Sequence, residues 1–165
     1  MKKITGVFVF ALAAGFCFAL DPAEGYWFSV DDRSGARTAG WEIYESGGLL
    51  LGKMLSAPGL PESQRAVRCR RSYPGYPLEG NVNEMPMIGT PWIFGLRMTR
   101  RGYWEDGHVI NPENGSIYKC KLIYHPADGG RFKEEALEIR GEIGLGIGGS
   151  QYWQRCTREQ AASLR

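Results

Sequence analysis

From residue 25 onward, apolar and polar positions alternate in short runs separated by turn-forming residues. Trp41 and Ile43 alternate with Glu42 and Tyr44, Tyr118, Cys120 and Leu122 with Lys119 and Lys121, and Leu137 and Ile139 with Glu138 and Arg140. Trp92, Phe94, Leu96 and Met98 read as one face of a further run, with Gly95 and Arg97 on the other. Successive side chains of a strand point to opposite sides, so each run gives a strand with one buried and one wetter face. Turn signals stand at Asp31–Gly35, Ser46–Gly48, Arg100–Gly102, Asn111–Gly115, Pro126–Gly130 and Gly144–Gly149. Their glycines and asparagines suit the positive φ that hairpins demand. The pattern predicts eight strands, over 25–31, 37–45, 49–56, 91–99, 103–110, 116–124, 134–141 and 150–156. Most connections are short, which makes sequence neighbours antiparallel. The expected fold class is all-β, an up-and-down β-barrel of a size that fills with side chains or holds one small ligand; a two-sheet sandwich is the other arrangement.

One connection breaks the rule. The stretch 57–85 carries Pro58, Pro61, Pro74 and Pro77 and the basic knot Arg68-Cys69-Arg70-Arg71. A loop of that length in a small domain is functional or mobile, or else a plain surface insertion. Residues 157–165 form either a short helix or a fraying tail.

The N-terminus follows a different pattern. Met1-Lys2-Lys3 is positive, Ile4–Phe18 is uncharged and apolar, and Cys17-Phe18-Ala19 sets small residues three and one before a cut ahead of Leu20. That is the order of a cleaved secretory signal over 1–19. The run is shorter than the roughly 20 residues that span a bilayer, and Asp21-Pro22 ends a helix there. The expected mature domain covers 20–156, is periplasmic or secreted, and has no transmembrane helix. Without Lys2 and Lys3 the expected mature chain, 20–165, balances 18 basic against 18 acidic residues, a poor basis for binding nucleic acid. Cys69, Cys120 and Cys156 remain; export permits a disulfide, but an odd count leaves at least one thiol over, and the sequence does not choose the pair.

Candidate chemistry is sparse. The only histidines are His108 and His125, and no His, Cys, Asp or Glu spacing matches a zinc or calcium site. No nucleophile elbow, phosphate loop or dinucleotide fingerprint is present, and Gly141–Gly149 lies between strands rather than before a helix. No cofactor, metal site or catalytic residue is therefore expected, and the chain reads as a non-enzyme. The densest polar and aromatic cluster is Trp104-x-Asp106-Gly107-His108 followed by Asn111-Pro112-x-x-Gly115. It reads either as a ligand site, with Asp106 or His108 bonding a polar group, or as a hairpin specification by Asn111, Pro112 and Gly115.

Several blocks resemble one known family. Pro86-Met87-Ile88-Gly89, Trp104 through Cys120, Leu137-Glu138-Ile139-Arg140-Gly141 and Gln151-Tyr152-Trp153-Gln154-Arg155 are similar to the exported bacterial domain of unknown function numbered 2147. Gly25-Tyr26-Trp27, Asp31-Asp32, Glu42-Ile43-Tyr44 and Gly52-Lys53 look like its N-terminal half. The likeness spans nearly all of 24–156 and is most specific over Trp104–Tyr118. It implies a lipocalin-like (calycin) barrel, usually behind a signal peptide, with no established activity. Members often carry two cysteines in the long loop where this chain has only Cys69, so the resemblance supplies no loop-closing disulfide here.

The residues point to the same closure on their own. Gly25-x-Trp27 opens the first strand and Trp153-x-Arg155 closes the last, and these strands are neighbours in a shut barrel. Arg155, or alternatively Arg140, can lie over the Trp27 indole. The expected function is binding of a small apolar or amphipathic ligand by Trp41, Ile43, Phe94, Leu96, Tyr118 and Leu122. Trp104, Asp106 and His108 are further candidates, and the 57–85 loop would act as a lid. The alternative is an envelope structural domain with a solid core, meeting a protein partner through that loop and its outer aromatics.

Overall fold

The alternating runs become strands of a closed sheet. The computed structural model describes residues 20–142 and 148–164; the expected export segment and the centre of the Gly144–Gly149 turn lie outside them. The strands are β1 (Gly25–Val30), β2 (Arg37–Ser46), β3 (Leu49–Ser56), β4 (Pro91–Arg100), β5 (Tyr103–Asn111), β6 (Ser116–His125), β7 (Ala136–Glu142) and β8 (Gly148–Cys156). Each pairs antiparallel with the next, and β8 returns to β1 to close an up-and-down barrel. The seam pairs Tyr26 with Cys156, Trp27 with Arg155 and Phe28 with Gln154. Closure removes the unpaired edges an open sheet would expose.

The registers sort side chains into two faces. Inward come Trp27, Trp41, Ile43, Leu50, Met54, Ile93, Leu96, Trp104, Leu122, Leu137 and Trp153, all buried. Outward along the same strands stand ion pairs such as Lys53–Glu42 at 2.9 Å and Lys121–Glu105 at 3.5 Å. Among the described residues no helix is long and apolar enough to cross a membrane.

The strict alternation expected for β4 fails at Gly95. Leu50 pairs with Leu96 but Gly52 with Ile93, so β4 spends one residue more than β3 between these pairs. Gly95 takes φ 75° there, a conformation that only glycine adopts without strain. The bulge puts Ile93 and Leu96 inward and turns Trp92 and Phe94 outward, so the four apolar residues of this run do not share a face.

The outward aromatics are covered by the long connection. The Trp92 indole N–H donates to the Met87 carbonyl (2.8 Å), and Tyr76 meets Phe94 edge-on at 5.3 Å. The Tyr73 hydroxyl donates to the Gly115 carbonyl at 2.9 Å. The connection is tied at its neck, where the Ala66 N–H donates to the Met85 carbonyl and the Met87 N–H to that of Gln64. It is thus a strap over the outer face, with its own apolar layer of Ala66, Cys69, Tyr73, Val82 and Met87.

Past β8, a one-turn helix α1 (Arg158–Ala162) starts with a capping box between Thr157 and Gln160, which satisfies amides otherwise left without partners. The Ser56 hydroxyl donates to the Ala161 carbonyl at 2.6 Å. A Cβ at Gly40 would run into the Ala161 backbone, so a glycine is needed where the helix sits on β2.

Candidate functional site

The two ends of the barrel differ. At one, residues 20–24 turn across the opening and plug it. The Asp21 carboxylate, 7% exposed, accepts from the Trp104 indole (3.0 Å), the Gly102 amide (2.8 Å) and the Ala23 amide (3.0 Å). Three donors meeting one carboxylate offset the burial of its charge. The Trp27 indole N–H donates to the Ala23 carbonyl at 3.0 Å, and the Arg155 guanidinium lies 3.8 Å over the indole ring. Arg155 also donates to the carbonyls of Glu24 (2.7 Å) and Pro22 (2.6 Å) and to the Glu135 carboxylate (3.2 Å). Gly25, at φ 122°, is required here because a Cβ would stand 2.5 Å from that guanidinium. Arg140 does not share this role: the parity of β7 turns it outward, where its Nε lies 3.7 Å from Glu142.

The other end is open among the described residues. A cavity of about 970 Å³ enters the barrel between the β1–β2 turn, the start of the strap and the β5–β6 hairpin. Its floor is the indole pair Trp41–Trp153, with ring centroids 5.0 Å apart and planes inclined by 31°. Met54, Ile93, Val109, Tyr118 and Ile139 form walls, and Asp32, Asn111 and Glu113 stand at the rim. Both indole donors are engaged, Trp41 with the Ser29 hydroxyl (3.2 Å) and Trp153 with the Gln151 side-chain oxygen (3.3 Å). One wall is low because β7 and β8 face each other there through Gly141 and Gly149. A Cβ at either would meet no heavy atom within 4 Å among the described residues. Gly52 and Gly107, deeper in, have side chains of Ile43 and Leu96 pressed against them. Small residues open the upper barrel and close packing fills the lower.

The family model for DUF2147, described as an uncharacterized protein conserved in bacteria, matches residues 25–155. The chain belongs to that family. Among solved structures it is similar to protein HP1028 from the human pathogen Helicobacter pylori, described as belonging to the lipocalin family. The TM-score is 0.64 at 13% identity, over 86% of this chain and 87% of that one. At that identity the likeness concerns the fold: this DUF2147 chain is a lipocalin-like barrel. No curated protein matches it.

Of the ligand candidates read from the sequence, the DUF2147 barrel brings Trp41 and Tyr118 to the cavity, and of the residues read as structural, Trp153, Asn111 and Pro112 also line it. Ile43, Leu96, Trp104 and Leu122 point inward but are fully packed beneath it. Phe94 is a correction: the Gly95 bulge puts it outside the barrel, stacked on His108 at 5.6 Å. His108 pairs with Phe94 in register and so also lies outside. Asp106 sits exposed at φ 63° in a β5 bulge between Trp104 and Gly107, away from the cavity lining. Asn111, Pro112 and Gly115 form the β5–β6 turn. The Asn111 side chain accepts from the Glu113 amide at 2.9 Å, and Gly115, at φ 73°, needs no side chain because a Cβ would stand 2.5 Å from the Arg68 carbonyl. The strap is not a lid across the mouth; its first residues, Ala57–Leu60, and Met87 reach the rim and the rest runs down the outside.

Sequence reasoning missed Met54, Ile93, Val109, Ile139 and the two wall glycines. A lone glycine inside a strand pattern is the available signal for a bulge, and at Gly95 it would have moved Ile93 inward. Asp21 carried no signal, because nothing local distinguishes a plug from a linker.

Cys69, Cys120 and Cys156 are all free thiols, and burial pushes Cys120 up to about 12, which suppresses the thiolate that would react. Among the described residues no group of three or more His, Cys, Asp or Glu side chains gathers to hold a metal.

Proposed function

We propose that this protein is a non-enzymatic carrier, working outside the cytoplasm, of a small apolar or amphipathic molecule held in the open end of the barrel. The observation behind this reading is the cavity of about 970 Å³, at the upper end of the range for small-molecule sites. It is floored by two indoles and kept clear by glycines, while the opposite end is plugged. What supports export is the charge, apolar and small-residue order of 1–19. What supports a carrier rather than an enzyme is that the cavity's polar groups are hydroxyls, amides and two rim carboxylates, without a base poised on a nucleophile.

The test is native mass spectrometry of gently purified protein, alone and after exposure to a lipid extract, beside the variant Gly141→Val. The valine fills the low wall without touching the fold, so retained mass is expected in the wild type and not in the variant. No retained mass in either, or equal retention in both, overturns the reading.

A second reading, a protein-interaction domain, draws on a patch of the outer face. His125 stacks on Phe132 at 4.4 Å and Arg131 lies over Phe132 and Tyr152. It predicts that Phe132→Ala with Tyr152→Ala removes a partner from pull-downs while leaving ligand retention intact; an unchanged pull-down profile disposes of it.

A further inference from the structure

The charges around the cavity specify its occupant more closely than its apolar floor does. Its lining holds two carboxylates, Asp32 and Glu113, and no lysine, arginine or histidine. Both are exposed at the rim, and among the described residues neither side chain is held by a hydrogen bond or ion pair. The nearest cation on the adjoining strand is committed elsewhere: Arg37 lies 4.3 Å over the Phe28 ring on the outer face. Arg33 shares the β1–β2 turn with Asp32 but does not line the cavity.

Of the neutral donors that could bind an anion, several are engaged, which leaves the Tyr118 hydroxyl and the side-chain amides of Asn111 and Gln151. Both floor indole N–H groups are engaged, and the Ser29 hydroxyl sits 2.7 Å from that of Thr38 and 3.3 Å from the Ala39 carbonyl. What the site offers in quantity is the electron-rich face of two tryptophans and negative charge at the mouth. An anionic head group would meet repulsion at the rim and no counter-charge within. A positive head group meets carboxylates at the rim while its apolar tail lies on the indole faces below.

We propose that the cavity selects amphiphiles with a positively charged, organic-cation head over neutral or anionic ones of the same tail. The proposal rests on the carrier reading above and adds the ligand's charge class. Asp32 and Glu113 are its specificity determinants, and Trp41 with Trp153 receives the apolar body.

The experiment titrates the full protein with three probes sharing one tail, decyltrimethylammonium, decanol and decyl sulfate, below their micelle concentrations and at low salt, following tryptophan emission. The cation is expected to bind about two- to tenfold tighter than decanol, from the two exposed carboxylates at the rim, and decyl sulfate weakest. In Asp32→Asn with Glu113→Gln, surface changes that leave the cavity shape intact, the cation should lose about two- to tenfold while decanol is unaffected. Added salt should shrink the same difference in the wild type. Equal or tighter binding of decanol or decyl sulfate, or a double variant that keeps the wild-type preference, overturns the charge selectivity and leaves the carrier reading standing. Failure of all three probes to bind, or binding that Gly141→Val does not weaken, overturns both.

Discussion

Replacing Trp27 by alanine removes the central stone of the plug. The side chain is fully buried, supports the Arg155 guanidinium at 3.8 Å, meets Tyr124 edge-on at 6.5 Å and donates to the Ala23 carbonyl at 3.0 Å. Truncating a buried tryptophan costs about 3–5 kcal/mol in transfer and cavity terms. The contact with a partly buried guanidinium adds about 0.5–2 kcal/mol, and the carbonyl left without its donor about 1 kcal/mol. The expected loss is therefore about 4.5–8 kcal/mol. At about 2–4 °C per kcal/mol for a domain of this size, the melting temperature should fall by at least about 10 °C. Trp27→Phe retains most of the volume and should lose clearly less. Urea unfolding followed by far-UV circular dichroism measures the loss without relying on the deleted fluorophore. Because the plug is at the far end from the cavity, the folded variant should keep its affinity for decyltrimethylammonium. A loss under about 1 kcal/mol would refute the plug, and a collapse of affinity in protein shown to be folded would refute the separation of the two ends.

Other outcomes follow from the same contacts. Asp21→Ala strands the Trp104 indole N–H and the Gly102 amide, and should lower stability by about 2–4 kcal/mol in urea unfolding; a change under about 0.5 kcal/mol would argue against the N-terminal closure. For Glu135, burial raises the carboxyl pKa, but hydrogen bonds from Arg155 and Tyr124 outweigh this and hold it below the ordinary 4.5. A depressed folded value gives stability that is present above the unfolded pKa and is lost as pH falls through the folded one. The melting-temperature gap between wild type and Glu135→Gln should accordingly be small and constant from neutrality down to the ordinary carboxylate range and close as pH falls through the lowered folded value; a gap that widens in acid contradicts the assignment. Cys120 is 1% exposed with its thiol pushed up to about 12, so a thiol reagent should reach the half-exposed Cys156 in the native protein and Cys120 only on unfolding. Native labelling of Cys120 would show that the lower barrel opens.

The architecture was readable because eight strands joined mainly by short turns leave few alternatives, and alternation with glycine-marked turns placed most strand ends within a residue or two. Trp27 beside Arg155 was readable for the same reason: once first and last strands pair, their inward residues meet. The cavity was far less legible. Trp41 and Tyr118 obey strict period two and were found, whereas Phe94 did not, because one bulge at Gly95 reverses parity for the rest of its strand. Asp106 and His108 drew attention by chemistry alone, and chemistry does not say which face a strand presents. Gly141 and Gly149 looked like generic turn glycines; their role is the space they leave empty, which only the opposite wall defines. The strap's apolar side chains, such as Tyr73 and Val82, have no periodicity because they pack as a layer on another surface.

The central claim is that the open end of the barrel receives a guest between the Trp41–Trp153 pair and the Gly141–Gly149 wall. A crystal structure of the protein grown with decyltrimethylammonium tests it most directly. The account predicts density for the decyl chain against the two indoles, with the head group toward Asp32 and Glu113. A cavity filled by the protein's own side chains, or an amphiphile bound only on the outer face, would contradict it.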